Sequence, residues 1–188
     1  AGDGGGIFNI GTLNMSDCWL HTNTAGDAGT TLDLCVPVFP HGGRGGAIYN
    51  SPSANLEMQN CFINYNKAGG YQGGNSDHDI TLNGADGGGI FNDGSQLLSN
   101  CTISNNETGL PNLGTYSGGQ PGRSGHGGGI FNSSSGITEL TNCRVTQNYT
   151  ASELGIPFLS NGNTEGSGGG IYNSGNFTAT DCSIEDNY

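Results

Sequence analysis

One motif occurs five times in this chain of 188 residues, and its repetition limits the possible folds more than any other feature. The motif reads GG[GA]I[FY]N, and its isoleucine recurs every 40 to 42 residues, at Ile7, Ile48, Ile90, Ile130 and Ile171. A cysteine follows each isoleucine after 11 or 13 residues, at Cys18, Cys61, Cys101, Cys143 and Cys182. A repeat of this length indicates equivalent structural units that stack on one another.

Within each repeat the apolar residues alternate with polar ones over short stretches. Cys101 and Ile103 alternate with Thr102 and Ser104, which is the pattern of a half-buried strand. Further inward positions are the isoleucine of the motif and the residue three before the cysteine. The aliphatic column two residues beyond the cysteine reads Leu20, Ile63, Ile103, Val145 and Ile184. No segment shows the 3.6-residue stripe of a helix, so we predict three short strands per repeat.

Glycine and asparagine separate these strands, and the chain contains 37 glycines. Both residue types tolerate a positive φ, so they can turn the chain sharply, and we expect Asn106 and its equivalents to form such corners. Stacking in register then predicts two asparagine ladders, in which each side-chain amide donates to the next. The ladders comprise Asn9, Asn50, Asn92, Asn132 and Asn173, and Asn23, Asn66, Asn106, Asn148 and Asn187.

The stretch "GGGIFN" followed by "NCTISNN" resembles the repeat of right-handed parallel β-helices. It is most similar to bacterial surface and autotransporter-type proteins that carry GGAI and FxxN-like motifs. The resemblance implies an all-β fold, a right-handed parallel β-helix of five coils with long loop insertions. It implies no single function, because lyases, glycosidases, adhesins and ice-binding proteins share this architecture.

We predict one domain, 1–188, with repeat cores and insertions in alternation. The cores are about 4–23, 45–66, 87–106, 127–148 and 168–187, and the insertions are 24–44, 67–86, 107–126 and 149–167. Five of the six prolines fall in the insertions, which favours loops that leave the same corner of each coil. The alternative is a second, degenerate coil in each repeat.

The charge balance excludes two classes of partner. Four basic and 16 acidic residues give a formal net charge of −12. Such a surface repels phosphate backbones and anionic lipid, so we expect no nucleic-acid partner. No apolar run approaches the roughly 18–20 residues of a membrane span. The first residues lack the basic and apolar regions of a signal peptide, so we expect a mature product, an excised segment or a protein that never uses the signal-peptide route.

The cysteine column has two interpretations. Stacking brings the five thiols near one another, but parallel in-register strands rarely give the torsion that a disulfide needs, so buried free thiols are favoured. No C-x-x-C pair is present, which argues against a zinc site. Cys35 lies outside the column and is the thiol that we expect to be most exposed.

An aromatic residue follows each isoleucine of the motif, and alternation places it on the outer face. These rings form the aromatic column: Phe8, Tyr49, Phe91, Phe131 and Tyr172. An uncovered column would be a candidate ligand or partner surface. The alternative is that the insertions fold back and cover it.

The remaining polar residues give weak signals. A glycosidase needs two nearby carboxylates, but the columns after the ladder aliphatics do not accumulate acids. The residues Ser76 to Asp79, with Asp86, could ligate a calcium ion, but a solvated acidic loop is the favoured interpretation. The outward column reads Trp19, Phe62, Thr102, Arg144 and Ser183, which is too mixed for an ice-binding array. Six Asn-X-Ser/Thr sequons begin at Asn14, Asn100, Asn106, Asn132, Asn148 and Asn176.

The sequence therefore predicts an extracellular or cell-surface β-solenoid with a structural, adhesive or filament-forming role, and with no catalytic residue, metal or cofactor. The alternatives are a carbohydrate-active enzyme, such as a polysaccharide lyase or glycosidase, and a carbohydrate-binding module. Neither end of the chain shows a cap that would cover its strand edges. We therefore expect self-association through the ends or continuation in a longer β-helix, with polysaccharides and cell-surface components as further candidate partners.

Overall fold

Three parallel β-sheets of five strands each make up the described part of the protein. A computed structural model of the chain describes residues 1–28, 41–70, 83–111, 122–151 and 166–188. The predicted all-β parallel β-helix of five coils is confirmed in these residues, which contain no helix. Each coil contributes one strand to every sheet, so no sheet pairs strands that are adjacent in sequence.

The first strand of each coil has three residues and contains the isoleucine of the motif. These strands form the first sheet: β1 (Ile7–Asn9), β4 (Ile48–Asn50), β7 (Ile90–Asn92), β10 (Ile130–Asn132) and β13 (Ile171–Asn173). The second strand has five residues and precedes the cysteine. These strands form the second sheet: β2 (Thr12–Ser16), β5 (Asn55–Gln59), β8 (Ser95–Ser99), β11 (Ile137–Thr141) and β14 (Asn176–Thr180).

The third strand follows the cysteine and has three residues. These strands form the third sheet: β3 (Trp19–His21), β6 (Phe62–Asn64), β9 (Thr102–Ser104), β12 (Arg144–Thr146) and β15 (Ser183–Glu185). Pairing is in register throughout, so Ile7 lies opposite Ile48 and Asn9 opposite Asn50. Residues at equivalent positions of successive repeats therefore lie next to one another along the stack.

The core lies between the three sheets and runs along the stack. Ile, Leu, Met, Val and Cys side chains of the three middle coils fill it and are almost fully buried. A further inward column, which the sequence analysis did not identify, comprises Leu13, Leu56, Gln96, Thr138 and Phe177. Gln96 and Thr138 are buried there, and Gln96 Nε2 donates to Thr138 Oγ1 at 2.8 Å. The mixture of polar and apolar residues concealed this column in the sequence.

The corners of each coil are only partly those predicted. The first glycine of the motif has φ between 67° and 70°, and the Asn or Asp before each cysteine has φ between 51° and 54°. The expectation for Asn106 is wrong, because the left-handed residue is its predecessor, Asn105, with φ 54°. The equivalent predecessors are Thr22, Tyr65, Gln147 and Asp186, with φ between 52° and 55°. The ladder asparagine is thus needed for its side chain and not for its backbone conformation.

Close-packed backbone joins the bases of the insertions. Gly43 N–H donates to Gly26 O at 2.7 Å, Gly69 to Gly43 at 2.8 Å, Ala85 to Gly69 at 3.0 Å and Gly109 to Ala85 at 2.9 Å. Along the stack, the segment in which the chain leaves a coil for an insertion therefore alternates with the segment in which it returns. A Cβ on Gly109 would lie 2.0 Å from Gly69 O, so no side chain fits there. The choice between loops and second coils falls on residues 29–40, 71–82, 112–121 and 152–165, which lie outside the described residues, as does Cys35.

Candidate functional site

The asparagine side chains form two continuous ladders that run the length of the stack. In the first, each Nδ2 donates to Oδ1 of the next coil at 2.7 to 2.9 Å, from Asn9 through to Asn173. In the second, both the backbone N–H and Nδ2 of each asparagine donate to Oδ1 of the next coil. Asn106 Nδ2 also donates to Ile63 O of the preceding coil at 2.9 Å, so one amide joins three coils. All the hydrogen bonds that one ladder asparagine donates to the Oδ1 of another point from the first coil towards the fifth.

The cysteine column is aligned in the same direction. Each backbone N–H lies 3.3 to 3.4 Å from Sγ of the next cysteine, from Cys18 to Cys182. All five are free thiols, and the middle three are buried. Burial raises the pKa of the Cys61 thiol, while a hydrogen bond with Cys143, followed by burial, raises that of Cys101. Burial and these raised pKa values keep the Cys61 and Cys101 thiols protonated and shielded from reagents.

The aromatic column is a continuous stack of nearly parallel rings. Successive centroids lie 4.7 to 5.3 Å apart, with interplanar angles of 5° to 9°. Phe8, the ring at the first-coil end of the column, is exposed, but Tyr49 and Phe91 have only 8 % and 3 % of their surface exposed. An aromatic binding surface therefore stays a prediction, and the burial of these rings leaves the ends of the column as its accessible parts.

Residues at the ends of two insertions lie against this column. The Arg44 guanidinium lies 5.0 Å from the Phe91 centroid, and the His126 ring stacks on Tyr172 at 4.8 Å. Tyr49 Oη donates to Asp93 Oδ2 at 3.1 Å. Burial, followed by the charge of Asp93, raises the pKa of Tyr49. These contacts stabilise the stacked rings from the side.

The residue before the first glycine of each motif links neighbouring coils. Asp3 Oδ1 accepts from the backbone N–H of Arg44 at 2.7 Å, and Asp86 Oδ1 accepts from that of His126 at 2.8 Å. His126 Nδ1 accepts from the backbone N–H of Ser167 at 2.9 Å, which requires the tautomer with its proton on Nε2. Burial raises the pKa of Asp86 despite its hydrogen bond from His126.

The two ends of the stack differ sharply from its middle. Strands β1, β2 and β3 of the first coil, and β13, β14 and β15 of the fifth, each pair on one side only within the described residues. Within the described residues, Asn23 Oδ1 accepts no hydrogen bond. The Oδ1 of each later asparagine in the same ladder accepts two. In the fifth coil Ile184 is 50 % exposed, whereas its equivalent Val145 is fully buried.

A second group of aromatic side chains lies on the outer face of the third sheet. Trp19 and Phe62 occupy paired positions on β3 and β6, and Tyr65 follows at the next corner. All three rings are more than half exposed, at 69 %, 52 % and 56 %. From the sequence, the outward column that contains Trp19 and Phe62 was tested only against the pattern of an ice-binding array, and Tyr65 was not grouped with it. The signal that could have identified it is the chain's one tryptophan beside a phenylalanine in an outward column.

The other predicted sites have varied outcomes. Within the described ranges no group of three His, Cys, Asp or Glu side chains could hold a metal ion, and of the candidate calcium site only Asp86 is described. The sequon asparagines Asn106, Asn132 and Asn148 are fully buried in the ladders, whereas those at Asn14, Asn100 and Asn176 are exposed. In the same part of the chain we find no helix with the length and hydropathy to cross a membrane.

Comparison with known proteins gives no further identification. No protein-family model, curated protein sequence or solved structure matches this chain.

Proposed function

We propose that this protein is an extracellular structural β-solenoid that extends into a longer rod by stacking its open coils on further coils of the same repeat. The observation that carries the proposal is the direction of the ladders. Within the described residues, the second ladder leaves an acceptor, Asn23 Oδ1, at the first coil and a donor, the backbone N–H of Asn187, at the fifth, so the two ends are complementary to each other.

The end groups can be matched pair by pair. In the stack, Asn148 N–H donates to Asn187 Oδ1 at 3.0 Å, and Asn187 N–H is the next donor in that series. Its natural acceptor is an oxygen placed like Asn23 Oδ1 of a second copy. Likewise, Asn142 N–H donates to Thr180 O at 2.9 Å, and Asp181 N–H occupies the same position one coil later. A second copy placed in register satisfies these groups with the geometry of the existing coils.

Burial of the core supplies the driving force. Ile7, Leu13, Met15 and Cys18 are only partly buried in the first coil, although their equivalents in the second coil are almost fully buried. Covering apolar surface stabilises an assembly by about 25 cal/mol for each Å² removed from water. Head-to-tail contact between unlike ends does not close on itself, so the expected product is a filament.

The proposal is tested with the chain of 188 residues and three variants. Ile184→Lys places a charge in the open core of the fifth coil, and Leu13→Lys does so in the first. Leu97→Lys is the matched control, because Leu97 points outward from the middle coil and is already 40 % exposed. Light scattering and negative-stain microscopy should show rods for the parent chain and for the control, and monomers for either end variant alone.

A mixture of the two end variants tests the direction of stacking. Ile184→Lys retains an intact first coil and Leu13→Lys an intact fifth coil, so their mixture should form dimers and no longer rods. A parent chain that stays monomeric at high concentration would contradict the proposal. Dimers of either end variant by itself would contradict the head-to-tail arrangement.

A further inference from the structure

The exposed aromatic group on the third sheet has the composition of a sugar-binding surface. We propose that Trp19, His21, Phe62, Asn64 and Tyr65 form a binding site for a neutral carbohydrate chain. This site lies on the outer face of the first two coils, so the proposal does not depend on the stacking of the ends.

Hydrogen bonds and ring contacts hold the group together. Trp19 Nε1 donates to Asn64 Oδ1 at 2.6 Å, and His21 Nδ1 approaches the same oxygen at 3.1 Å. The Trp19 and His21 centroids are 5.2 Å apart, and the His21 ring meets Tyr65 edge to face at 5.5 Å. Each polar side chain is thus oriented by a neighbour, which lowers the entropy lost when a ligand binds.

The same contacts leave polar atoms available beside the ring faces. Because Asn64 Oδ1 can only accept, His21 carries its proton on Nδ1 in the neutral form, and Nε2 is then an acceptor. Within the described residues, Asn64 Nδ2 and Tyr65 Oη make no hydrogen bond, so a donor and a hydroxyl are also free. Sugars present both an apolar C–H face and hydroxyl groups. Aromatic faces with a few fixed polar groups match that combination.

Charge favours a neutral sugar over an acidic one. The five residues have no formal charge when His21 is neutral, and the chain carries −12. The nearest acid along the chain is Asp17, whose Oδ1 accepts from Asn60 Nδ2 at the preceding corner. No lysine or arginine stands within the group to pair with an acidic sugar, and the surrounding negative field opposes its approach.

The size of the surface argues against a protein partner. A stable protein interface buries about 800 Å² on each side and involves roughly 20–30 residues. Here the exposed rings are confined to two coils, about 4.8 Å apart. The next positions of the outward column are Thr102, Arg144 and Ser183, which break the aromatic series. A short stretch of oligosaccharide fits this area, whereas a folded partner needs much more.

Binding can be measured by calorimetry with cellohexaose, xylohexaose and mannohexaose, and with oligogalacturonate as the acidic comparison. We expect saturable binding of at least one neutral oligosaccharide. Trp19→Ala and Phe62→Ala should each weaken it by about tenfold or more. Tyr188→Ala removes a ring that is more exposed than either of these, after the last strand of the fifth coil, and should leave binding unchanged. Because Trp19 is the only tryptophan, its fluorescence in the parent chain should also shift on binding.

Thermal unfolding of each variant shows whether the fold is retained, and we expect little change because the removed rings are exposed. Failure of all three neutral oligosaccharides to bind would overturn the proposal. So would affinity that is the same in Trp19→Ala, Phe62→Ala and Tyr188→Ala. Trp19-dependent binding of oligogalacturonate alone would overturn the assignment to a neutral sugar.

Discussion

The third and fifth coils share the glycines, isoleucines, cysteine and asparagines of the repeat, but these shared residues lie in very different environments. Ile103 is fully buried in the third coil, and its equivalent Ile184 is half exposed in the fifth. Asn106 is buried and hydrogen-bonded to coils on both sides, whereas the hydrogen bonds of Asn187 involve only its own coil and the coil before it. The same residue type at the same position of the repeat is thus buried in one coil and partly exposed in the other. What differs is the presence of a neighbour, so stacking supplies the burial that a single coil lacks.

The largest expected difference concerns the aliphatic column. Ile103→Ala should destabilise the protein by about 2–5 kcal/mol, because it leaves a cavity between two neighbouring coils. Ile184→Ala should cost less than about 1 kcal/mol in the unassembled chain, because its side chain is half exposed already. Urea unfolding at a concentration below assembly measures both. Equal losses would show that position in the stack does not determine the contribution.

The asparagine ladder provides the second test. Asn106→Ala removes Oδ1, which accepts from Asn66 N–H and Asn66 Nδ2, and leaves two buried donors unsatisfied. We expect a loss of about 1–3 kcal/mol, although the φ of this residue needs no asparagine. Asn23→Ala in the first coil should cost a few tenths of that, because within the described residues Asn23 Oδ1 accepts no hydrogen bond and its loss leaves no buried donor unsatisfied. If Asn106→Ala leaves the melting temperature unchanged, the ladder is not a source of stability.

The third test compares a glycine that is packed against a neighbouring backbone with a glycine that has open space around it. Gly109→Ala should destabilise the stack by about 1–3 kcal/mol, because its Cβ would overlap the backbone of Gly69 and force the segments apart. Gly11→Ala is the control, since no atom lies within 4 Å of its Cβ position. Calorimetric melting of both variants compares them. A Gly109→Ala protein as stable as the Gly11→Ala protein would refute the close packing of the insertion bases.

The smallest effect is electrostatic and depends on pH. Burial raises the folded-state pKa of Asp86, so its charged form is disfavoured by folding. Its stabilising contribution is therefore present below its unfolded pKa and is lost as pH rises through the folded value. Asp86→Asn keeps an acceptor for His126 N–H and removes the charge, so its melting temperature should exceed the parent's at pH 7 and converge with it at low pH. Asp3→Asn, in the same position of the repeat, is the control for net charge, and an equal pH-dependent gain there would exclude burial as the cause.

The sequence predicts most of the repeat architecture, because each column contains chemically similar residues. The three strands, their register and both ladders follow from the positions of Ile90, Cys101 and Asn106 and their equivalents. The corner at Asn105 could not be predicted, because its column includes threonine, tyrosine and glutamine, which give no signal for a positive φ. Gln96 and Thr138 were missed for a similar reason, since a pair of polar residues in an apolar column looks like a surface.

The candidate sites were harder to predict than the fold. The aromatic column follows directly from the motif, but the contacts of Arg44 and His126 with its rings do not, because the residue before the first glycine differs between the repeats. The group around Trp19 combines residues of two coils and three columns, and no single column identifies it. Repetition reveals what all coils share, whereas a binding surface depends on where one coil departs from the others.

Residue-resolved amide hydrogen exchange as a function of protein concentration tests the central claim, that the open ends of the stack pair with further coils. The backbone N–H groups of Asp181 and Asn187 have no hydrogen-bond acceptor within the described residues. The equivalent backbone N–H groups of Asn142 and Asn148 donate to Thr180 O and Asn187 Oδ1. We predict that Asp181 and Asn187 exchange rapidly in dilute solution and slow markedly as the concentration rises, while Asn142 and Asn148 remain protected throughout. Exchange at Asp181 and Asn187 that stays equally fast at every concentration would contradict the claim.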